Sequence, residues 1–448
     1  MRSAQEPVAE ANGVTDEDAQ VIVVGAGPAG STAAVHLARA GLDVLLLEKG
    51  GFPREKVCGD GLTPHGVHQL LKMGVDIDEP GWTRTRGTRW VCEGRRVDID
   101  WPALGRYPDF GLTRSRHDFD DILARHAVAA GARLRTHVKA TAPLTDRAGR
   151  ITGVRAEAGP DREPRTFRAP LVIAADGASA RTALAMGLAR DESRPIATAG
   201  RRYYRSPELS KDPYLELWAD LRCARTGRDL PGYGWIFPLG DGRVNVGLGA
   251  LPHPQDGPVD LRACLALWLS RLPEELGLHE ENADSPLRSA ALPMAFNRRP
   301  QYSRGLLLVG DSAGMISPWS GEGIAQAMEA AEVAAETAAL ALAHPAGPRR
   351  EQVLRSYPAE LDHRWGHYYL AGSTVARLVL SRYGYRPLLP RRVMETPALV
   401  NAMARLLIEP GRKPSRDTTD ALLHALVRLV PAGGRRTRGR TGGPAARR

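Results

Sequence analysis

The stretch VIVVGAGPAG, residues 21–30, limits what this chain can fold into more than any other. A short apolar run from Gln20 to Val24 ends at Gly25 and fits a buried parallel strand. Pro28 to Ala40 follows with helical periodicity, and Gly41 ends it. Asp43 to Leu47 is a second buried strand that closes on Glu48. Gly25, Gly27 and Gly30 thus make G-x-G-x-x-G between a strand and a helix. Gly25 allows the tight turn, Gly27 lets a pyrophosphate approach the backbone, and Gly30 lets helix and strand pack closely. The helix start at Pro28 and Ala29 offers free N–H groups and partial positive charge to that phosphate. Glu48, with Lys49 beside it, stands where an acid accepts hydrogen bonds from an adenosine ribose. The motif announces a dinucleotide and does not by itself separate FAD from NAD.

Two later segments bear on that choice. VIAADGASARTAL carries Asp176 and Gly177 after a third apolar run, and GLLLVGDSAGMISPWSGEGIAQAM carries Gly310 and Asp311 after a fourth. Its glycine-rich turn, with Gly321, Gly323 and Ile324, leads into a long Ala-rich helix. With the first βαβ unit these segments resemble the glutathione-reductase-type flavoprotein fold, in the branch typified by para-hydroxybenzoate hydroxylase. The resemblance implies FAD, with Asp311 on its ribitol and the helix after Gly323 aimed at the flavin pyrimidine. Reduced flavin carries negative charge there, which a helix N-terminus stabilises. By the same resemblance Arg114 lies beside the cofactor.

FPREKVCGDGLTP (52–64) and YGWIFPLGDGRVNVGLG (233–249) are more specific than the glycine motif. Both resemble the geranylgeranyl reductase family, which includes bacterial menaquinone reductases. The resemblance covers roughly residues 20 to 345. It implies an FAD-dependent reductase that saturates an isolated C=C bond of a polyprenyl chain, in a geranylgeranyl lipid or a menaquinone, by hydride transfer from reduced flavin. Tyr233, Trp235 and Phe237 alternate, so on a strand they share one face. That face is either core or, by the resemblance, a cavity wall over the flavin, with Asn245 completing it. Tyr233 and Trp235 then stabilise positive charge at the reacting alkene. Cys58 is either a small buried hydrophobe or a redox or proton-handling group whose pKa Lys56 lowers. Asp60 supports that loop or relays protons. Arg54 and Lys56 are solvated, or they touch FAD phosphate or a substrate headgroup.

The expected fold is α/β: an FAD-binding unit from residues 19–80, 115–190 and 295–345, and an antiparallel-sheet substrate domain from 81–114 and 191–294. A leader (1–18), a C-terminal helical region (346–431) and a basic tail (432–448) complete it. The 448 residues are long enough for two or three domains. The four cysteines form no C-x-x-C pair, which argues against zinc and iron–sulfur sites. Net charge is +10, partly in the tail GGRRTRGRTGGPAARR. That tail reads as a solvated end or as weak attraction to anionic lipid. No basic helix with interleaved aromatics supports nucleic-acid binding. The acidic N-terminus is unlike a signal peptide, and no run of about 20 apolar residues occurs, so a cytoplasmic protein is expected, with peripheral contact at the inner face of the membrane open. LLHALVRLV, amphipathic and followed by arginines, suits such an interface. The pattern is compatible with a monomer. There is one glycine fingerprint and no second nucleotide unit, so the electron donor is either transiently bound NAD(P)H or a reduced protein carrier. Two alternatives share the fold. One is a flavin monooxygenase or halogenase, since GWIFP partly matches the tryptophan-bearing motif of halogenases. The other is a membrane-associated flavin electron-transfer protein.

Overall fold

The computed structural model describes residues 17–378, except 104, 106 and 253–256, together with residues 395, 396, 399, 400, 402 and 405. Most of the expected leader, the LLHALVRLV segment and the basic tail lie outside the described residues.

The apolar runs become one sheet. Val21–Val24, Val44–Leu47, Leu171–Ala174 and Leu306–Leu308 are buried along their whole lengths. Strands covered on both faces need apolar residues at every position, which is why these runs do not alternate. The sheet order is Tyr302–Ser303, Leu306–Leu308, Leu171–Ala174, Val21–Val24, Val44–Leu47, Arg133–Arg135. Pairing is parallel except at Tyr302–Ser303. Helices Pro28–Arg39 and Ile324–Leu342 pack against each other. Buried Ala33 and Ala34 on one and Ala330, Ala331 and Ala334 on the other keep side chains short, so the helices approach closely. Both helices therefore start at the same end of the sheet, where its strands deliver the glycine turns.

A seven-stranded sheet stands across from those turns. Its order is Arg288–Pro293, Ile196–Arg205, Arg243–Ala250, Gly232–Pro238, Tyr214–Trp218, Gly87–Cys92, Arg95–Asp100. Only Tyr214–Trp218 and Gly87–Cys92 pair in parallel. A four-stranded sheet (Glu17–Asp18, Glu163–Arg168, Ile151–Ala158, Val138–Thr145) and a three-stranded one (Gly61–Leu62, Gly111–Thr113, Thr83–Thr85) complete the β structure of the described residues. Helix Arg116–Ala129 begins after Ser115, as its sequence predicts, but the Ser115 side chain makes no capping bond. The N–H of Arg116 instead donates to Asp60 Oδ1 at 3.1 Å. A carboxylate from a distant loop therefore caps this helix, which ties the Cys58 loop to its start. Beyond Leu342, helices Pro348–Leu361 and His367–Leu378 are joined by a π-helical turn, Asp362–Gly366. Among the described residues no helix is long and apolar enough to cross a membrane.

Candidate functional site

A cavity of about 840 Å³ lies between the two large sheets. One end is built by the first glycine turn. Gly25 holds φ +99°, and a Cβ on it would lie 2.5 Å from the Ala175 carbonyl oxygen. A Cβ on Gly30 would lie 1.7 Å from the Gly25 carbonyl oxygen. Gly27 faces open space bounded by the guanidinium groups of Arg54 and Arg116, 3.5 and 3.9 Å from where its Cβ would be. No side chain caps the helix that follows. Its free N–H groups and two cations thus converge on one spot, as an anion site requires. Asp120, fully buried, holds both cations in place. It pairs with Arg116 Nε and Nη2 at 2.6 and 3.0 Å and with Arg54 Nη2 at 2.8 Å. Glu48 accepts from the N–H groups of Ala26 (2.9 Å) and Gly50 (3.1 Å). Each carboxylate oxygen has a second lone pair, so both retain capacity for another donor.

The other glycine turns meet the first. Gly310 holds φ +60°, and its Cβ would lie 3.1 Å from the Ala29 Cβ. Helix Ile324–Leu342 has no side-chain cap, and a Cβ on its N-cap Gly323 would sit 3.6 Å from Asp311 Oδ1. Two uncapped helix N-termini therefore open on the same cavity. Asp176 Oδ1 is buried beside it without a partner, as is Arg54 Nε. Burial raises the Asp176 carboxyl above its ordinary range.

Tyr233, Trp235 and Phe237 form the opposite wall, with successive ring centroids 6.1 and 6.3 Å apart. Tyr233 donates to the Ser320 carbonyl at 2.6 Å, and burial pushes its phenol well up. Trp235 Nε1 donates to Asn245 Oδ1 at 2.8 Å. Asn245 Nδ2 donates in turn to the Cys58 carbonyl and to Asp60 Oδ2, both at 2.8 Å. Tyr203 also donates to Asp60 Oδ2, at 2.7 Å. Gly247 makes room for the indole: a Cβ there would lie 2.3 Å from Trp235 Cζ2. The indole orientation is thus set by a chain of buried hydrogen bonds ending at Asp60. Burial lifts the Asp60 carboxyl to about 6, against the opposing pull of Tyr203, Asn245, Arg201 and Arg116.

Residues 18–365 match the FAD binding domain family. The chain belongs to that family. A menaquinone reductase of Mycobacterium tuberculosis is 35% identical over 408 residues, 90% of this chain and 94% of that one. Digeranylgeranylglycerophospholipid reductase 2 of Methanopyrus kandleri is 31% identical over 332 residues, 72% of this chain and 77% of the other. The crystal structure of a geranylgeranyl bacteriochlorophyll reductase-like protein from Thermoplasma acidophilum shares the fold at TM-score 0.68 and 24% identity, covering 87% of this chain and 99% of that one. Flavin-dependent halogenases share the fold too, at 20% identity for a brominase, a likeness that carries the fold alone. The resemblance read from the two sequence strings holds, and this flavoprotein is an FAD-dependent oxidoreductase. The cavity fits the cofactor: its glycines leave the space, and Arg54 and Asp176, which line it, each keep a buried polar atom without a protein partner.

Every cofactor residue expected from the sequence lines this flavoprotein's cavity except Gly30 and Arg114. Gly30 sits behind it, in the packing role its position requires. Arg114 corrects an expectation. Its Nη1 donates to the Pro80 carbonyl at 2.9 Å and its guanidinium lies 5.2 Å from the Trp82 ring, directed away from the cavity. Arg116, two residues on, takes the place beside it. Asn245 corrects another: it is fully buried and orients Trp235 rather than lining the cavity. Cys58 does line it, but burial pushes the thiol up, so it is neutral at pH 7. Its partial exposure is to the cavity. The expected lowering by Lys56 fails because the lysine points elsewhere, its Nζ 3.8 Å from where a Gly177 Cβ would be.

Proposed function

We propose that this flavoprotein saturates an isolated C=C bond in a polyprenyl chain, with the menaquinone side chain as first candidate. The observation that carries it is the wall of Tyr233, Trp235 and Phe237, facing the cofactor cradle across one cavity. Such a surface recognises a long flexible hydrocarbon by burial rather than by hydrogen bonds. The relatives named menaquinone reductase and digeranylgeranylglycerophospholipid reductase support it.

In this reading Arg54, Arg116 and the start of helix Pro28–Arg39 hold the pyrophosphate, Glu48 the adenosine ribose and Asp311 the ribitol. Bound and reduced, FAD supplies a hydride. The chain's own contribution is to orient the alkene, exclude water and manage charge. An isolated trisubstituted alkene has no carbonyl to polarise it, so positive charge builds at the tertiary carbon as a proton arrives. The faces of Trp235 and Tyr233 stabilise that charge. The electrons come from NAD(P)H docking transiently or from a reduced protein carrier. A lipid substrate implies contact with the cytoplasmic face of the membrane.

Two measurements test this. Anaerobic mixing of reduced enzyme with menaquinone or geranylgeranyl lipid should reoxidise the flavin in a single turnover, with a product two mass units heavier per saturated bond. Reoxidation by none of these substrates overturns the proposal. Saturation without O2 also separates it from monooxygenase or halogenase chemistry, and a saturated product separates it from simple electron transfer. Arg54→Leu tests the cradle. Losing one charge-assisted bond to phosphate should weaken FAD binding about 10- to 100-fold, while Arg116 still satisfies Asp120. Titration of apoprotein by flavin fluorescence quenching reads it, and an unchanged affinity removes Arg54 from the pyrophosphate site.

A further inference from the structure

Saturating a C=C bond consumes a proton as well as a hydride, and the proton must enter a cavity built to exclude water. Among the acids lining the cavity, Glu48 and Asp176 belong to the cofactor cradle, Asp311 to its glycine turn, and Glu55 is paired with Arg201. Glu322 is different. It follows Ser320 and Gly321, which touch Tyr233: the phenol donates to the Ser320 carbonyl, and a Gly321 Cβ would lie 3.1 Å from its oxygen. Glu322 therefore stands beside the aromatic wall. Its Oε1 accepts from Thr63 Oγ1 at 2.9 Å, and its Oε2 is buried without a partner.

A polar seam leads away from it. Helices Pro64–Met73 and Ile324–Leu342 pack side by side. His65, Gln69 and Lys72 fall on one face of the first. Gln326, Glu329 and Glu332 continue from Glu322 along the facing side of the second. His65 Nε2 meets Glu329 Oε2 at 3.0 Å, and Lys72 pairs with Glu332. Glu329 also meets Arg364, at 3.1 Å. The Lys72 side chain, 46% exposed, reaches solvent. Against its other neighbour, Pro28–Arg39, the same Ala-rich helix presents small apolar residues, so the polar stripe is not a general property of it. A purely structural stripe of this kind would close its hydrogen bonds. This one leaves Glu322 Oε2, both amide atoms of Gln326, His65 Nδ1 and Gln69 Oε1 buried and open between the cavity and Lys72. Polar atoms spaced along such a seam are the setting in which bridging water is held.

We propose that this seam conducts protons from solvent at Lys72 to Glu322, and that the Glu322 carboxyl donates the proton taken up by the alkene. The inference rests on the polyprenyl-reductase reading. In the step, the alkene π bond breaks and two C–H bonds form. One carries the hydride and its two electrons from bound reduced FAD; the other carries the Glu322 proton. The carboxylate left behind is reprotonated through the seam, so the net proton comes from water. Burial raises Glu322 above the ordinary glutamate range, the direction a proton donor requires. The groups facing it are His65, Thr63 and Gln326, which oppose that rise, and the phenols Tyr233 and Tyr368.

Two variants of the FAD-loaded enzyme test it. Glu322→Gln should keep its flavin, lose a protonated-carboxyl C=O band in the infrared difference spectrum, and reoxidise with polyprenyl substrate about 100-fold more slowly or worse. Gln326→Leu keeps the acid and interrupts the seam. Its later anaerobic turnovers should slow more than its first, with an enlarged solvent isotope effect. Wild type that never reoxidises overturns the function itself. Wild type that turns over beside a full-rate Glu322→Gln overturns the donor. Unimpaired later turnovers in Gln326→Leu overturn the seam.

Discussion

A Gly30→Val chain is expected to purify colourless, without FAD. The added Cβ would lie 1.7 Å from the Gly25 carbonyl oxygen, 2.9 Å from its carbon and 3.2 Å from the Ala175 Cβ. Two of these are backbone atoms, so no rotamer change relieves the contact. Gly25 cannot yield easily, because it already holds φ +99° with its own Cβ position closed by Ala175. The start of helix Pro28–Arg39 must move instead, and its N–H groups leave the position from which they face the anion site. Overpacking of this kind costs about 1–3 kcal/mol in stability where the surroundings can adjust, and more where backbone meets backbone. The larger effect is on affinity, since both the helix N-terminus and the gap in front of Gly27 are lost together. Gly41→Ala is the control. Gly41 also has positive φ, but nothing lies within 4 Å of its Cβ position, so the change should cost about 1–2 kcal/mol of local strain and leave the flavin in place. Flavin absorbance relative to protein, with thermal unfolding of each variant, reads both. A Gly30→Val protein with full flavin content would show that helix and strand do not need this contact.

What was legible in advance follows from how each signal is written. Val21–Val24 and Gly25 to Gly30 declare themselves locally, because strand, turn and helix are contiguous and each glycine answers to its own neighbours. Tyr233, Trp235 and Phe237 were legible because strand periodicity alone puts them on one side. Arg114 and Arg116 show the limit. Both flank the same helix start, and which one turns toward the cavity depends on Pro80, Trp82 and Asp120, which come from other parts of the chain or another turn of the helix. The Asp60–Asn245–Trp235 chain joins residues 185 and 10 positions apart, and no spacing rule connects them. Cys58 has two readings in sequence, a small buried hydrophobe or a thiol lowered by Lys56, and only the fold decides between them: the lysine points elsewhere and burial dominates the thiol. Glu322 was hidden for the opposite reason. Inside GEGI it reads as a glycine-turn residue, and only the packing of two helices shows the polar seam it heads.

Replacing Asp60 with Asn is expected to change the pH dependence of stability by about 3 kcal/mol. The Asp60 carboxyl titrates at 3.8 when solvated and at about 6 in the fold, chiefly through burial. The folded value is the higher one, so the folded state binds this proton more tightly than the unfolded state does. Its contribution to stability is therefore complete below pH about 4 and is lost as pH rises through about 6, after which it is constant. Asn removes the titration. It also tolerates the left-handed backbone at this position, where φ is +64°. Its Oδ1 can still accept from the Arg116 N–H, but its Nδ2 then faces the Asn245 amide donor. That conflict costs about 1–3 kcal/mol and does not vary with pH. The variant's deficit relative to wild type should thus be largest near pH 4 and shrink toward neutrality, as urea unfolding across that range would show. A deficit independent of pH would return Asp60 to the ordinary carboxylate range. The same titration bears on the wall. Ionised, Asp60 is an acceptor matched to three donors, Tyr203, Asn245 and the Arg116 N–H. Protonated, it brings a fourth donor into the group, so the hold on Asn245, and through it on the Trp235 indole, loosens as pH falls below about 6.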